Sequence, residues 1–274
     1  MLGEDHELVL YEVADRVATI TLNNPEGRNG WSLAMERAYF AQLRRAETDP
    51  AAVTIVVTGA GRTFCPGLDM KALQAVPGSG GLNRADRDPM LLALSLQKPM
   101  IAAINGACAG LGLLQALCCD VRFAAEGARL ATAYSRRGLP AEYGMAWLMT
   151  RLMRLDHALD LLLSGRAVEA REAAALGLVT RVYPPEQLLE AATAYAREMA
   201  VNCSPRALAA IRHQVYADLS RDLDAAMTDT LQLMPWFNSA ANPDFREGVD
   251  SFIERRSPAF EPLPADFRVV SPER

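Results

Sequence analysis

Residues 104–120, "INGACAGLGLLQALCCD", decide how this chain is read. Glycines at 106, 110 and 112 lie between an apolar, strand-like run and a helical one, and apart from Gln115 and Asp120 almost no side chain here can hold a charge or move a proton. A glycine-rich junction of this kind lets a chain expose main-chain N–H groups to a ligand. A second such junction, "GAGRTFCPGLDMKAL" at 59–73, closes the preceding apolar run. If the two turns face each other, one oxygen can accept from both, because holding charge that develops on a carbonyl oxygen needs preorganised donors more than reactive side chains.

Working outward, "ELVLYEVADRVATITLNNPEG" reads as two strands separated by "ADR", the second alternating Val17, Thr19, Thr21 against Ala18, Ile20, Leu22. A helix follows over about 32–47, with Met35, Tyr39, Phe40 and Leu43 on one face and "TDP" ending it. "AVTIVVTGAG" and "MIAAINGACAG" are unbroken apolar runs suited to strands covered on both faces. "VRFAAEGARLATA" supplies further short strands, and from about 145 the pattern is helical, with one short strand at "LVTRVYP". Residues 76–89, rich in Gly, Pro and charge, read as a surface loop, and a softer point lies near 201–205. The class is α/β.

The 274 residues, half of them apolar, suffice for a large core. Net charge is −5, from 28 basic and 33 acidic side chains spread along the chain, which leaves no basic stripe for nucleic acid. Cys65, Cys108, Cys118, Cys119 and Cys203 lack CxxC spacing and sit in apolar surroundings, as buried thiols in a reducing compartment would. His6, His157 and His213 share no metal-ligand spacing, so no metal site is expected. There is neither a signal-peptide pattern nor an apolar run of ~18 residues, and a cytoplasmic protein with no membrane contact is expected.

The GxxxGxG spacing of the opening stretch also resembles the nucleotide turn of short-chain oxidoreductases that use NAD(P). That reading lacks an acidic residue after the next strand and a Tyr-x-x-x-Lys pair, since Tyr134 is followed four residues later by Gly138.

Four segments, "ITLNNPEGRNGWS", "GAGRTFCPGLDMKAL", "KPMIAAINGACAGLGLLQALCCDVRFA" and "RRGLPAEYGMAWLMTRLM", resemble in order and spacing the crotonase, or enoyl-CoA hydratase/isomerase, superfamily. The resemblance covers about 8–182, with a weaker match at "FREGVDSFIERRSPAF". It implies a spiral of ββα units over 1–200 and a helical oligomerisation segment over 201–274, assembled as trimers or dimers of trimers. It also implies an acyl-CoA substrate, with coenzyme A entering as part of that substrate and no prosthetic group. The resemblance assigns two N–H donors, at Leu68 after Gly67 and at Leu111 after Gly110, which would stabilise an enolate. At Leu111 a helix start points the same way, its N–H being unpaired and in the positive end of the dipole.

Hydratases of this superfamily carry two glutamates at positions that here hold Leu114 and Tyr134. The resemblance implies a third place for an acid, the turn after "RGL", which here holds Glu142 in "GLPAEYG"; a lone carboxylate in a largely apolar cavity would keep its proton to higher pH and shuttle it between carbons. By itself, Glu142 also reads as a first-turn helix acid. Tyr134 is a pocket hydroxyl or a wall. By resemblance Arg28 stands near the CoA phosphates, Asp69 braces its turn by capping the helix behind it, Lys71 is surface, and Phe252 lines an adenine pocket, often that of a neighbouring subunit. Glu261 replaces a lysine found in several hydratases, and Trp236 with Phe237 offers an apolar contact surface. A relative that binds acyl-CoA without turnover would keep the two turns and have no need of Glu142.

Overall fold

The computed structural model describes residues 8–69 and 89–269. His6, Lys71 and, but for its last residue, the loop read at 76–89 lie outside them. The order opens with β1 (Val9–Ala14), β2 (Val17–Leu22), α1 (Leu33–Thr48), β3 (Thr54–Gly59) and β4 (Thr63–Cys65). It continues with β5 (Met100–Ile104), β6 (Ala107–Ala109), α2 (Leu111–Leu117), β7 (Val121–Ala125), β8 (Arg129–Ala131), α3 (Met145–Leu152) and α4 (Leu155–Ser164). The chain then forms β9 (Ala167–Glu169), α5 (Ala170–Ala175), β10 (Arg181–Tyr183) and α6 (Leu188–Asn202). Helices α7 (Pro205–Asp218), α8 (Leu223–Phe237) and α9 (Pro243–Glu254) complete it.

Two sheets share these strands. Six form the order β1-β2-β3-β5-β7-β10 and four form β4-β6-β8-β9. Only the β1–β2 and β8–β9 pairings are antiparallel. Each of the pairs β3/β4, β5/β6 and β7/β8 sends its first strand to the larger sheet and its second to the smaller, which is the spiral of ββα units expected.

The hairpin turn at "ADR" is tight, with Asp15 and Arg16 both at positive φ (50° and 65°), as a two-residue hairpin loop requires. Strands β3 and β5 are buried along their whole length, because helices cover the sheet on both faces. On one side Met35, Tyr39, Phe40 and Leu43 of α1 are buried, and Ser32 caps that helix by accepting from Met35 N–H at 3.1 Å. On the other, Ala192, Ala196 and Ala200 give α6 a flat stripe, close enough for Thr54 Oγ1 to donate to Ala196 O at 3.2 Å.

The structure corrects three readings. "MIAAINGACAG" is two strands in different sheets, parted at Asn105 and Gly106. A Cβ on Gly106 would stand 2.0 Å from Arg62 O, so the crossover needs glycine. Strands β4 and β9 are three residues each, too short to show a period, and had been read as turn and helix.

Helices α7–α9 are not loosely appended. Arg212, buried in α7, donates to both Asp120 carboxylate oxygens at 3.0 Å, and Tyr216 donates to Asp120 at 2.6 Å. Asp120 in turn accepts from Met100 N–H at 2.7 Å, so the last residue of the opening stretch ties the helical segment to β5. All five cysteines are free, four of them buried. Among the described residues no helix is long and apolar enough to cross a membrane, and no group of His, Cys, Asp and Glu could hold a metal ion.

Candidate active site

The two glycine turns do meet. Gly67, at φ 97°, has Ala109 O 3.0 Å and Gly110 Cα 3.7 Å from where its Cβ would stand, so the two backbones are in van der Waals contact. Gly110, at φ 52° and ψ −121°, is the residue before α2, which begins at Leu111. In the first turn, Gly67 C=O accepts from Trp31 N–H at 2.7 Å and Asp69 N–H donates to Trp31 O at 3.3 Å. The Gly67 C=O and the Leu68 N–H belong to one trans peptide group and point in opposite directions, so the Leu68 N–H is turned away from Trp31. Among the described residues, neither the Leu68 N–H nor the Leu111 N–H has a protein acceptor.

Both turns open on one cavity of about 670 Å³. Its walls include Arg28, Gly67, Leu68, Asp69, Gly110, Leu111, Tyr134 and Glu142, so eight of the nine residues expected to serve catalysis or CoA binding converge there. The ninth, Phe252, is 84% exposed on α9 and takes no part in lining it. Glu26, Ser32, Thr132, Arg137 and Leu139 also line the cavity and had not been singled out. Short polar side chains in loops carry no periodic signal, and for Arg137 the only hint was its place in "SRRGLP" beside Glu142.

Glu142 is half-buried and precedes Gly144, the N-cap of α3, by two residues, so it is not a first-turn helix acid. Its main-chain oxygen accepts from Met145 N–H at 2.9 Å. The bend around it is tight, with Tyr143 at φ 48° and Gly144 at 79°. Glu142 is not the lone carboxylate expected, since Glu26 and Asp69 share the walls with it, as do Arg28 and Arg137.

Tyr134 is only 5% exposed. Its ring faces the cavity, while its hydroxyl is enclosed without a hydrogen-bond partner among the described residues. Burial above all, and then the nearby Glu142 and Tyr143, hold the Tyr134 phenol above its ordinary range, so it is a neutral group at physiological pH. Leu114 is fully buried and does not reach the cavity. Arg28 stands at the rim in an exposed loop at φ 55°, its carbonyl accepting from Thr63 Oγ1. The helix that Asp69 was to cap lies outside the described residues. Glu261 lies 3.8 Å from Arg206, which pairs at 2.7 Å with Asp244, so this acid faces a cation of its own chain.

Gly112 is a packing glycine. A Cβ there would stand 2.1 Å from Cys65 O and 2.7 Å from Cys65 Cβ. Its face is therefore filled by β4, and the pyrophosphate approach of a dinucleotide turn has no room there.

Comparison with known proteins agrees with this geometry. The family model described as enoyl-CoA hydratase/isomerase matches residues 12–262. A probable enoyl-CoA hydratase from Rhodobacter capsulatus is 35% identical, covering 93% of this chain and 98% of the relative. The 1,2-epoxyphenylacetyl-CoA isomerase of Escherichia coli is 31% identical, covering 93% and 98%. Among solved structures, an enoyl-CoA hydratase from Mycobacterium marinum is 46% identical over 79% of this chain and 100% of that one, with a TM-score of 0.68. Two turns that meet across one cavity, in a spiral of ββα units matched along nearly its whole length, mean that the chain belongs to the enoyl-CoA hydratase/isomerase family of crotonase-fold enzymes.

Proposed function

We propose that the chain binds an acyl-CoA, polarises its thioester carbonyl with the N–H groups of Leu68 and Leu111, and uses Glu142 as the acid/base on the enolate that results. The observation that carries this is the contact between Gly67 and Gly110, which brings two main-chain donors without protein acceptors to one cavity that Glu142 also lines. One oxygen between the turns would accept from both, and each such donor is worth ~3 to 4 kcal/mol in the transition state. Glu142 would take a proton from carbon, the electron pair would move onto the thioester oxygen, and the same proton would return to another carbon. Leu114 is buried and apolar and Tyr134 is a neutral phenol, so neither position where the resemblance expects a hydratase glutamate holds a carboxylate here. Proton-shuttling isomerisation, or another reaction through an enolate, is therefore the reading. CoA enters as part of the substrate, and no prosthetic group is required.

The test is turnover of an acyl-CoA panel in heavy water, comparing double-bond migration with water addition. Glu142→Gln should lower kcat by ~10² to 10⁴ on the best substrate. Full activity in that variant would refute the assignment.

The segment over 201–274 is inferred to hold subunits together as a homotrimer or a dimer of trimers. Leu223, Met227 and Leu231 on α8 and Phe252 and Ile253 on α9 are exposed apolar side chains, more than a monomer commonly leaves in water. Light scattering reads the mass directly.

A further inference from the structure

We infer that Trp31 is a positioning residue, which aims the Leu68 N–H into the cavity although no part of Trp31 lines it. This rests on the reading of Leu68 as a carbonyl-binding donor. A parallel bridge between Trp31 and Leu68 ties the first turn to the segment that leads into α1. The two hydrogen bonds of that bridge, at 2.7 and 3.3 Å, fix the peptide groups on either side of the Leu68 Cα, the first of which carries the Leu68 N–H opposite its bonded carbonyl. Whatever holds the Trp31 backbone therefore sets the direction of this donor.

That backbone is held by its side chain. Trp31 is 1% exposed, and its indole Nε1 donates to Glu36 Oε2 at 2.9 Å inside the protein. The ring meets Tyr39 and Phe40 edge-on, with centroids at 5.5 and 6.2 Å. Tyr39 and Phe40 belong to the buried face of α1, and Glu36 stands in its first turn. On the other side Asn29, fully buried at φ 55°, donates to Ala60 O and Thr63 O at 3.0 and 2.8 Å, which prevents the loop before Trp31 from shifting. A route of hydrogen bonds and ring contacts thus runs from α1 through Trp31 to the Leu68 N–H. An indole is suited to it because it fills the apolar gap and also carries one donor for a buried carboxylate.

The variant that isolates the effect is Trp31→Phe, which keeps a ring and removes the N–H. The probe is 4-(dimethylamino)cinnamoyl-CoA, whose absorption moves to longer wavelength when its carbonyl oxygen accepts strong hydrogen bonds, since excitation pushes charge onto that oxygen. Wild-type protein should shift the probe. Trp31→Phe should bind it with similar affinity but lose a large part of the shift, and kcat on the best substrate should fall about 10-fold with KM nearly unchanged. Glu36→Ala should lose the shift likewise, and Glu36→Gln, whose amide oxygen still accepts from the indole, should recover most of it. The Glu36 pair decides the matter if Trp31→Phe does not fold. An unchanged shift in Trp31→Phe, or equal shifts in Glu36→Ala and Glu36→Gln, would overturn the role of Trp31. No shift in the wild type would instead overturn the carbonyl-binding reading beneath it.

Discussion

The two turns that face each other across the cavity are built in opposite ways. The second, from Ala109 to Gly112, is embedded: every residue of α2 is buried, and Gly112 is pressed against Cys65. The first, from Pro66 to Asp69, is suspended from two hydrogen bonds to Trp31. At the embedded turn, geometry follows from core packing, so most substitutions there should cost stability and activity together. At the suspended turn a few bonds set geometry, and activity can be lost while the fold survives.

The sharpest test of that contrast is the exception it allows. Leu111 is the first residue of α2, where proline is well tolerated because the N–H it lacks has no helical partner. Gly110 before it has no Cβ for the proline ring to strike. Leu111→Pro should therefore fold, with a circular dichroism spectrum like that of the wild type, and lose ~10² to 10³ in kcat. Retention of full activity would mean that this N–H does not serve the reaction. Gly112→Ala should behave in the opposite sense. Its Cβ meets the main chain of β4, which cannot yield locally, so stability should fall by ~3 kcal/mol and Tm by about 10 °C. A melting temperature within a degree or two of wild type would show the embedded turn to be softer than its contacts imply.

At the suspended turn, Gly67→Ala places a methyl group 3.0 Å from Ala109 O at a residue whose φ of 97° suits only glycine. The strain is on the order of 1 to 2 kcal/mol, about half that at Gly112, and it falls on the peptide that carries the Leu68 N–H. Differential scanning calorimetry should show Tm lower by a few degrees, with kcat reduced more than that loss of stability would explain. If instead activity followed stability here as at Gly112, the two turns would not differ in kind.

Much of this was legible before the structure. The doubly covered strands β3 and β5, the buried face of α1 and both glycine turns left marks because burial imposes a period or an unbroken apolar run. The convergence of Leu68, Leu111, Tyr134 and Glu142 came from the spacing of four segments that resemble one family, and periodicity could not have supplied it. What stayed hidden has a physical reason in each case. The switch between sheets at Gly106 depends on the Arg62 carbonyl, a neighbour remote in sequence. The part played by Trp31 lies in its main chain, and as a letter it is one more apolar residue before a helix cap. The surroundings of Glu142 depend on which loops fold over it, so a carboxylate expected to stand alone proved to share its cavity with Glu26, Asp69, Arg28 and Arg137.

The smallest effect concerns the packing beneath the embedded turn. Cys65, Cys108, Cys118 and Cys119 are buried on β4, on β6 and just after α2, and burial raises all four thiols, Cys65 and Cys118 from 9.0 to about 12. A group whose folded pKa is raised contributes stability that is complete below its unfolded pKa and is lost as pH climbs from the unfolded toward the folded value, here from near 9 to about 12. The loss begins because the unfolded chain releases these protons while the folded chain keeps them. At pH 8.5 it is on the order of 1 kcal/mol for the four together. Tm should thus drift down by a few degrees between pH 7 and 9, before the tyrosines titrate. Replacing Cys118 by alanine should flatten that drift while lowering Tm at pH 7 through the volume it removes. A drift unchanged by removing any of the four would place its origin elsewhere, and the thiols under the embedded turn would then titrate as they do in the unfolded chain.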